Sequence, residues 1–203
     1  LARPGDALEQ VVDGFVVDLV RPGLLIEVQT ANFAAIRPKL EALLPHHRIR
    51  LAHPIPAVTW IVRTGEGAPV RRRSPRRGQP LDLFAHLVSF PHLVGHPNFA
   101  IDVLMTEQEE HRRREAERGR RRHGWVVTER RLVAVREVVT VEGPSDLAGF
   151  LPPGLPDPFS TADLAGALGR PRRLAQQMAY CLRGAGVCEV VGSTGNSRLY
   201  RRA

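Results

Sequence analysis

Two acidic side chains, Asp18 and Glu27, stand at a spacing that can do chemistry, because Pro22 and Gly23 lie midway between them. A Pro-Gly pair between β-rich runs marks a turn. With those two residues at its centre, Arg21 pairs with Leu24, Asp18 faces Glu27 and Val16 faces Gln29. Side chains alternate along strands, so Asp18, Glu27 and Gln29 project from one face of a hairpin. Opposed carboxylates repel one another unless a cation or proton compensates. A magnesium ion, which prefers hard oxygen ligands, meets that need and brings a metal-bound water and a Lewis-acidic clamp on phosphate. The other reading is a pair of polar residues on a solvent-facing strand, and the residues alone leave both open. Asp13, by alternation, lies on the opposite face and shapes a turn with Gly14.

A second set lies near the C-terminus. Pro171 opens a helix reaching Gly184, with Leu174, Met178, Cys181, Leu182 and Ala185 on one face. Arg172, Arg173, Gln176, Gln177, Tyr180 and Arg183 occupy the other. Those outward residue types read DNA: arginine offers two donors to guanine, glutamine pairs both ways with adenine, and tyrosine or arginine holds phosphate. Arg198 joins them from a following strand. A third basic set, Arg71, Arg72, Arg73, Arg76 and Arg77, has no amide or aromatic neighbours and reads as a footprint for phosphate or as a solvated arginine surface.

The elements that position these residues follow from pattern. After the hairpin, Ile36, Leu40, Leu43 and Leu44 share a helix face. A strand over residues 48–53 stops at Pro54, and another over residues 59–63 pairs through the turn at residues 64–67 with residues 70–73. This strand–strand–helix–strand order predicts a mixed sheet with helix cover. Residues 81–88 have helical spacing ended by Pro91, and residues 99–105 read as a strand. Residues 106–123 are so charged that they fit an exposed helix or a mobile loop, and residues 125–141 suit one long strand or two. The proline-rich stretch 151–158 marks a domain boundary. Beyond it Ser160 or Thr161 caps a helix over residues 162–168 that Gly169 ends, and strands over residues 187–191 and 198–202 flank a glycine-bearing loop at 192–196.

The segment STADLAGALGRPRRLAQQMAYCLRGAGVCEVVGSTGNSRLYRR resembles a winged helix-turn-helix module. That resemblance implies that helix 171–184 enters the major groove of double-stranded DNA and that the wing at residues 192–197 touches backbone or minor groove. Winged helices also serve as protein-docking or dimerisation modules. VVDLVRPGLLIEVQT resembles the catalytic hairpin of the PD-(D/E)XK nuclease superfamily, in which an Asp precedes a Glu-x-Lys strand. The resemblance implies that Asp18 and Glu27 are magnesium ligands and that Gln29 stands in place of the family lysine. Lys39 or Arg37, on the next helix, can supply that charge from another element. The family also places a helix before the hairpin, often with a glutamate, which leaves residues 1–10 and Glu9 for that part. IEVQTANFAAIRPKLEALL, RRRSPRRG and LAQQMAYCLR together resemble an uncharacterised bacterial family that pairs such a hairpin with a winged helix.

The expected fold is therefore α+β: a mixed β-sheet with helices, restriction-endonuclease-like, plus a C-terminal winged helix-turn-helix domain. Residues 1–75 form the nuclease-like core, 76–150 an α/β extension with a basic connector, and 151–203 the winged helix. The chain has 203 residues and a net charge of +8, and residues 61–131 supply most of it, fifteen basic against nine acidic side chains. No apolar run of about 18 residues and no signal peptide is visible, so the expectation is a cytoplasmic protein with no membrane contact. Cys181 and Cys188 lack metal-ligand spacing and read as buried free thiols. His46, His47, His53, His92 and His96 match no zinc spacing and read as exposed or capping residues. Missing glycine loops and nucleophile elbows argue against ATPase, hydrolase and dehydrogenase chemistry. Two functions remain: a metal-dependent endonuclease-like DNA-processing protein, or a non-catalytic DNA-binding regulator on a nuclease-like scaffold. Whether the chain is a homodimer is left open.

Overall fold

The computed structural model describes residues 2–65, 69–115 and 124–203. The fold is α+β with a mixed sheet. The chain divides into two compact units, one of residues 1–53, 81–103 and 140–203, the other of residues 54–80 and 104–139. These units do not coincide with the ranges 1–75, 76–150 and 151–203, because each gathers segments far apart in sequence.

In the first unit β1 (Ala7–Val12), β2 (Phe15–Arg21) and β3 (Leu24–Val28) form an antiparallel meander. Asp13 and Gly14, both at positive φ, make the first turn, and Gly23, also at positive φ, helps close the second. Residues 7–12 are thus a strand, where a helix was expected ahead of the hairpin: its residues pair along β2 from Ala7 opposite Val20 to Val12 opposite Phe15. Helix α1 (Phe33–Leu43) then crosses over and β4 (Ile49–Thr64) returns parallel to β3, with Leu25 beside Ile49 and Val28 beside Ala52. Phe33, Ile36, Leu40 and Leu43 are the buried stripe of α1, as their spacing requires. A 3-10 turn (Pro80–Leu83), the single-turn helix α2 (Phe84–Leu87) and a second 3-10 turn (Pro91–Gly95) replace the helix expected at 81–88.

Pro54 is the expected end of a strand, yet β4 runs through both Pro54 and Pro56. The reason is local: β4 pairs with β3 over residues 49–52 and with β5 (Val70–Arg73) over residues 60–63, so the prolines fall between the two ladders. Proline fits extended backbone wherever its missing N–H is not required. The charged stretch from residue 106 is also strand rather than helix or loop. It completes β6 (Phe99–Arg114), whose Glu107 and Glu110 are buried against arginines, so charge pairing offsets the cost of burying them. The parts of these expectations at residues 66–68 and 116–123 lie outside the described residues. Strand β7 (Trp125–Val141) is one strand, not two.

Strands β4, β6 and β7 each give a segment to both units. In the second unit the order is β5-β4-β6-β7. In the first, the short helix α3 (Pro144–Ala148) leads to the C-terminal elements: β8 (Phe159–Ser160), α4 (Thr161–Leu168), α5 (Arg172–Gly184), β9 (Cys188–Thr194) and β10 (Ser197–Arg202). The last strands form an antiparallel sheet in the order β8-β10-β9. Ser160 caps α4 reciprocally with Asp163, and Gly169 ends it in the left-handed region at φ 61°. Both hairpin strands reach further than expected, leaving Gly195 and Asn196 as the turn.

Candidate nucleic-acid interface and carboxylate site

Helix α5 is held from behind. Leu174, Ala175, Met178, Ala179, Cys181 and Leu182 are buried, and the helix packs on α4, α2 and the second 3-10 turn. Gly184 lies so close to Pro91 that an added Cβ would stand 2.7 Å from the proline ring. The Arg170–Asp82 ion pair ties the turn ahead of α5 to the first 3-10 turn. Cys181 and Cys188 are free and buried, and burial pushes the Cys181 thiol up to about 12, which makes it inert.

What remains exposed on α5 is polar. Arg172, Arg173, Gln176, Tyr180 and Arg183 face solvent, while Gln177 is half-buried. Arg172, Gln176 and Tyr180 form one wall of a groove whose other wall is Asn196, Ser197 and Arg198 of the β9–β10 hairpin. Arg172 donates to Ser197 Oγ at 3.1 Å and so braces helix against hairpin. Tyr200, at the groove floor, stacks on Phe159 with ring centroids 5.9 Å apart.

Arg71, Arg72 and Arg73 belong to the other unit, on the exposed edge strand β5. Arg71 is engaged: its guanidinium lies 3.9 Å above the Trp60 ring and its Nε donates to Glu109 at 3.0 Å. Trp60 in turn donates to Glu107, which Arg136 also contacts, and these bonds hold the Glu107 carboxyl below its ordinary range. This network is not among the expectations drawn from the sequence. Its signal was the run of acids at 107, 109 and 110 in a chain rich in arginine.

The hairpin has the register read from its turn: Arg21 is opposite Leu24 and Leu19 opposite Ile26, so Asp18 lies across from Glu27. The same count on the β1 side sets Glu9 opposite Asp18. The environments of the two expected ligands differ sharply. Asp18 is exposed, and its Oδ2 accepts the Val28 N–H at 2.7 Å. Glu27 is only 4% exposed. Lys39 reaches back from α1, setting its ammonium against Glu27 Oε1 as an ion pair while donating to the Val16 carbonyl. Burial raises the Glu27 carboxyl above its ordinary value, outweighing the opposite pull of Lys39, and the charge on Asp18 adds to the rise.

Asp18, Glu27 and Lys39 therefore converge, and Gln29 does not join them. Its amide donates to the Ala31 carbonyl at 2.5 Å, serving the turn into α1 where Asn32 is left-handed. Arg37 pairs with Glu41 on its own helix. His53, expected to be exposed or capping, is buried: its Nδ1 donates to the Gln29 carbonyl at 2.6 Å and its ring packs edge-on to Phe33 and His86. Burial lowers its pKa and keeps it neutral. Among the described residues, no three His, Cys, Asp or Glu side chains are grouped to hold a metal ion, and no helix is long and apolar enough to cross a membrane.

Residues 1–142 match the family described as "Domain of unknown function (DUF8091)", and the chain belongs to that family. Its likeness to an uncharacterized protein of Treponema pallidum (strain Nichols) is 26% identity, covering 98% of this chain and 79% of that protein. That likeness extends past residue 142 into the α4–α5 region. No solved structure matches the chain.

Proposed function

We propose that this protein binds double-stranded DNA through a winged helix formed by β8, α4, α5 and the β9–β10 hairpin. The observation that carries this reading is the continuous polar groove from Arg172, Gln176 and Tyr180 to Asn196 and Arg198, on a helix whose opposite face is packed. An exposed helix rich in Arg and Gln beside a basic hairpin suits base edges in a major groove and phosphates at its rim. Binding-site selection at one fixed salt concentration tests it. Gln176→Ala relaxes preference at one base position by about 1–3 kcal/mol and leaves salt dependence unchanged. Identical selected sequences and affinities for the wild type, Gln176→Ala and Arg172→Ala would refute DNA reading by this helix and leave docking or dimerisation as its use.

A second reading is metal-dependent cleavage of the bound DNA, favoured by the convergence of Asp18, Glu27 and Lys39 and by the meander–helix–parallel strand order around them. Asp18 and Glu27 would hold magnesium, which takes one or two carboxylates and completes its shell with water. The ion would supply Lewis-acid activation of a phosphate. Lys39 must then exchange the Glu27 carboxylate for the anionic substrate. Titration calorimetry with magnesium and a cleavage assay decide it: Glu27→Gln abolishes both binding and cleavage while DNA affinity persists. Cleavage equal to wild type in Glu27→Gln would remove this site from the reaction.

A further inference from the structure

The two edges of the sheet in the second unit are built differently. Strand β5 carries Arg71, Arg72 and Arg73, and such charges discourage another strand from adding to an edge. Strand β7 is the other edge, with no strand beyond it among the described residues. Its centre is the run Leu132-Val133-Ala134-Val135, and side chains on both of its faces are exposed, Leu132 at 65% and Val133 at 51%. A long open edge with an apolar centre is a template for pairing.

From this we infer that β7 is the interface of a homodimer in which two copies pair edge to edge, antiparallel, about a two-fold axis. The charges on the strand select that occupant. Two copies meeting through the same edge pair only residues of equal parity, because N–H and C=O groups alternate sides along a strand. Centring the axis on Val133 sets Glu129 opposite Glu137 and Arg130 opposite Arg136, two like-charged pairings. Centring it on Ala134 sets Arg131 opposite Glu137 and Val133 opposite Val135, each twice by symmetry. On the other face Leu132 meets the stem of Arg136 and Val138 the stem of Arg130. The head groups of those arginines are already neutralised within their own chain by Glu107 and Glu110. Centring on Leu132 instead sets Arg131 and Glu129, which pair with each other at 2.7 Å along their own strand, opposite valines and adds no contact between unlike charges across the axis. Of these three registers only the one centred on Ala134 opposes unlike charges, and it brings Val133 of each copy against Val135 of the other.

Sedimentation equilibrium on the full chain tests the inference. Wild type is dimeric at tens of micromolar, and Val133→Lys, a change at an exposed position, is monomeric with an unchanged circular dichroism spectrum. Arg131→Glu and Glu137→Arg each weaken self-association by about tenfold or more, since each opposes like charges twice. Mixing these two variants in equal amounts restores a dimer, because the mixed pair regains both opposite-charge contacts. A wild type that stays monomeric would overturn the inference, as would a dimer indifferent to Val133→Lys or a mixture no tighter than its components.

Discussion

Glu27 sits at the centre of the residue-scale chemistry. A carboxylate this buried survives because Lys39 is beside it, and the pair is imperfect: desolvation outweighs attraction, so the carboxyl titrates above its ordinary value. The folded chain then holds a proton that the unfolded chain releases between the ordinary carboxylate value and the raised one. Stability contributed by Glu27 is accordingly greatest at low pH and is lost as pH rises through the raised value. Glu27→Gln removes this dependence. Its thermal midpoint at pH 7 without metal equals or exceeds that of wild type, and the difference narrows as pH falls toward 4.5, measured by calorimetric scans in matched buffers. A variant clearly less stable than wild type at pH 7 would mean that the Lys39 contact outweighs burial. Asp6 shows the reverse case: hydrogen bonds from Arg21 hold its carboxyl down at about 2, so that pair loosens only in strong acid.

At the scale of elements, α5 is placed by what lies behind it. Alanine is a better helix former than glycine by up to about 1 kcal/mol, which by itself favours Gly184→Ala. The Cβ would, however, stand 2.7 Å from the Pro91 ring, and a packed core answers such intrusion with a cost of about 1–3 kcal/mol. Gly184→Ala therefore destabilises the chain, read as a lower urea midpoint with unchanged slope. A higher midpoint would show that the 3-10 turn at Pro91 yields freely. The same packing makes α5 a rigid platform, so the groove beside Arg172 and Gln176 needs little ordering on binding.

The whole molecule carries +8, concentrated in residues 61–131. Long-range attraction to phosphate follows from that total, but the separate arginines are not equivalent. Arg71 is committed to Trp60 and Glu109, whereas Arg72 and Arg73 are exposed on β5. Changing Arg72 and Arg73 together to alanine lowers the slope of log affinity against log salt by about 2 if both meet phosphate, and Arg71→Ala changes it less. An unchanged slope in the double variant would place β5 away from DNA.

Much of this was legible in the sequence because the physics involved is local. The Pro22-Gly23 turn fixed the opposition of Asp18 and Glu27, since register in a hairpin follows from its turn. Ser160, Asp163 and Gly169 marked the ends of α4 through backbone groups that must be capped. The alternation of polar and apolar residues told which face of α5 is free. Tertiary structure decided what depends on neighbours distant in the chain. Lys39 meets Glu27 only because α1 crosses back over the meander, and Gln29 turns away because the loop into α1 claims its amide. The charged run after residue 105 is strand rather than helix because β4 and β7 supply the ladder and the arginines that its glutamates require. Local propensity could not report this: burial of a charge is set by its partners, and beside the neighbouring Arg112 these include Arg130 and Arg136, 20 and 29 residues from the glutamates they meet.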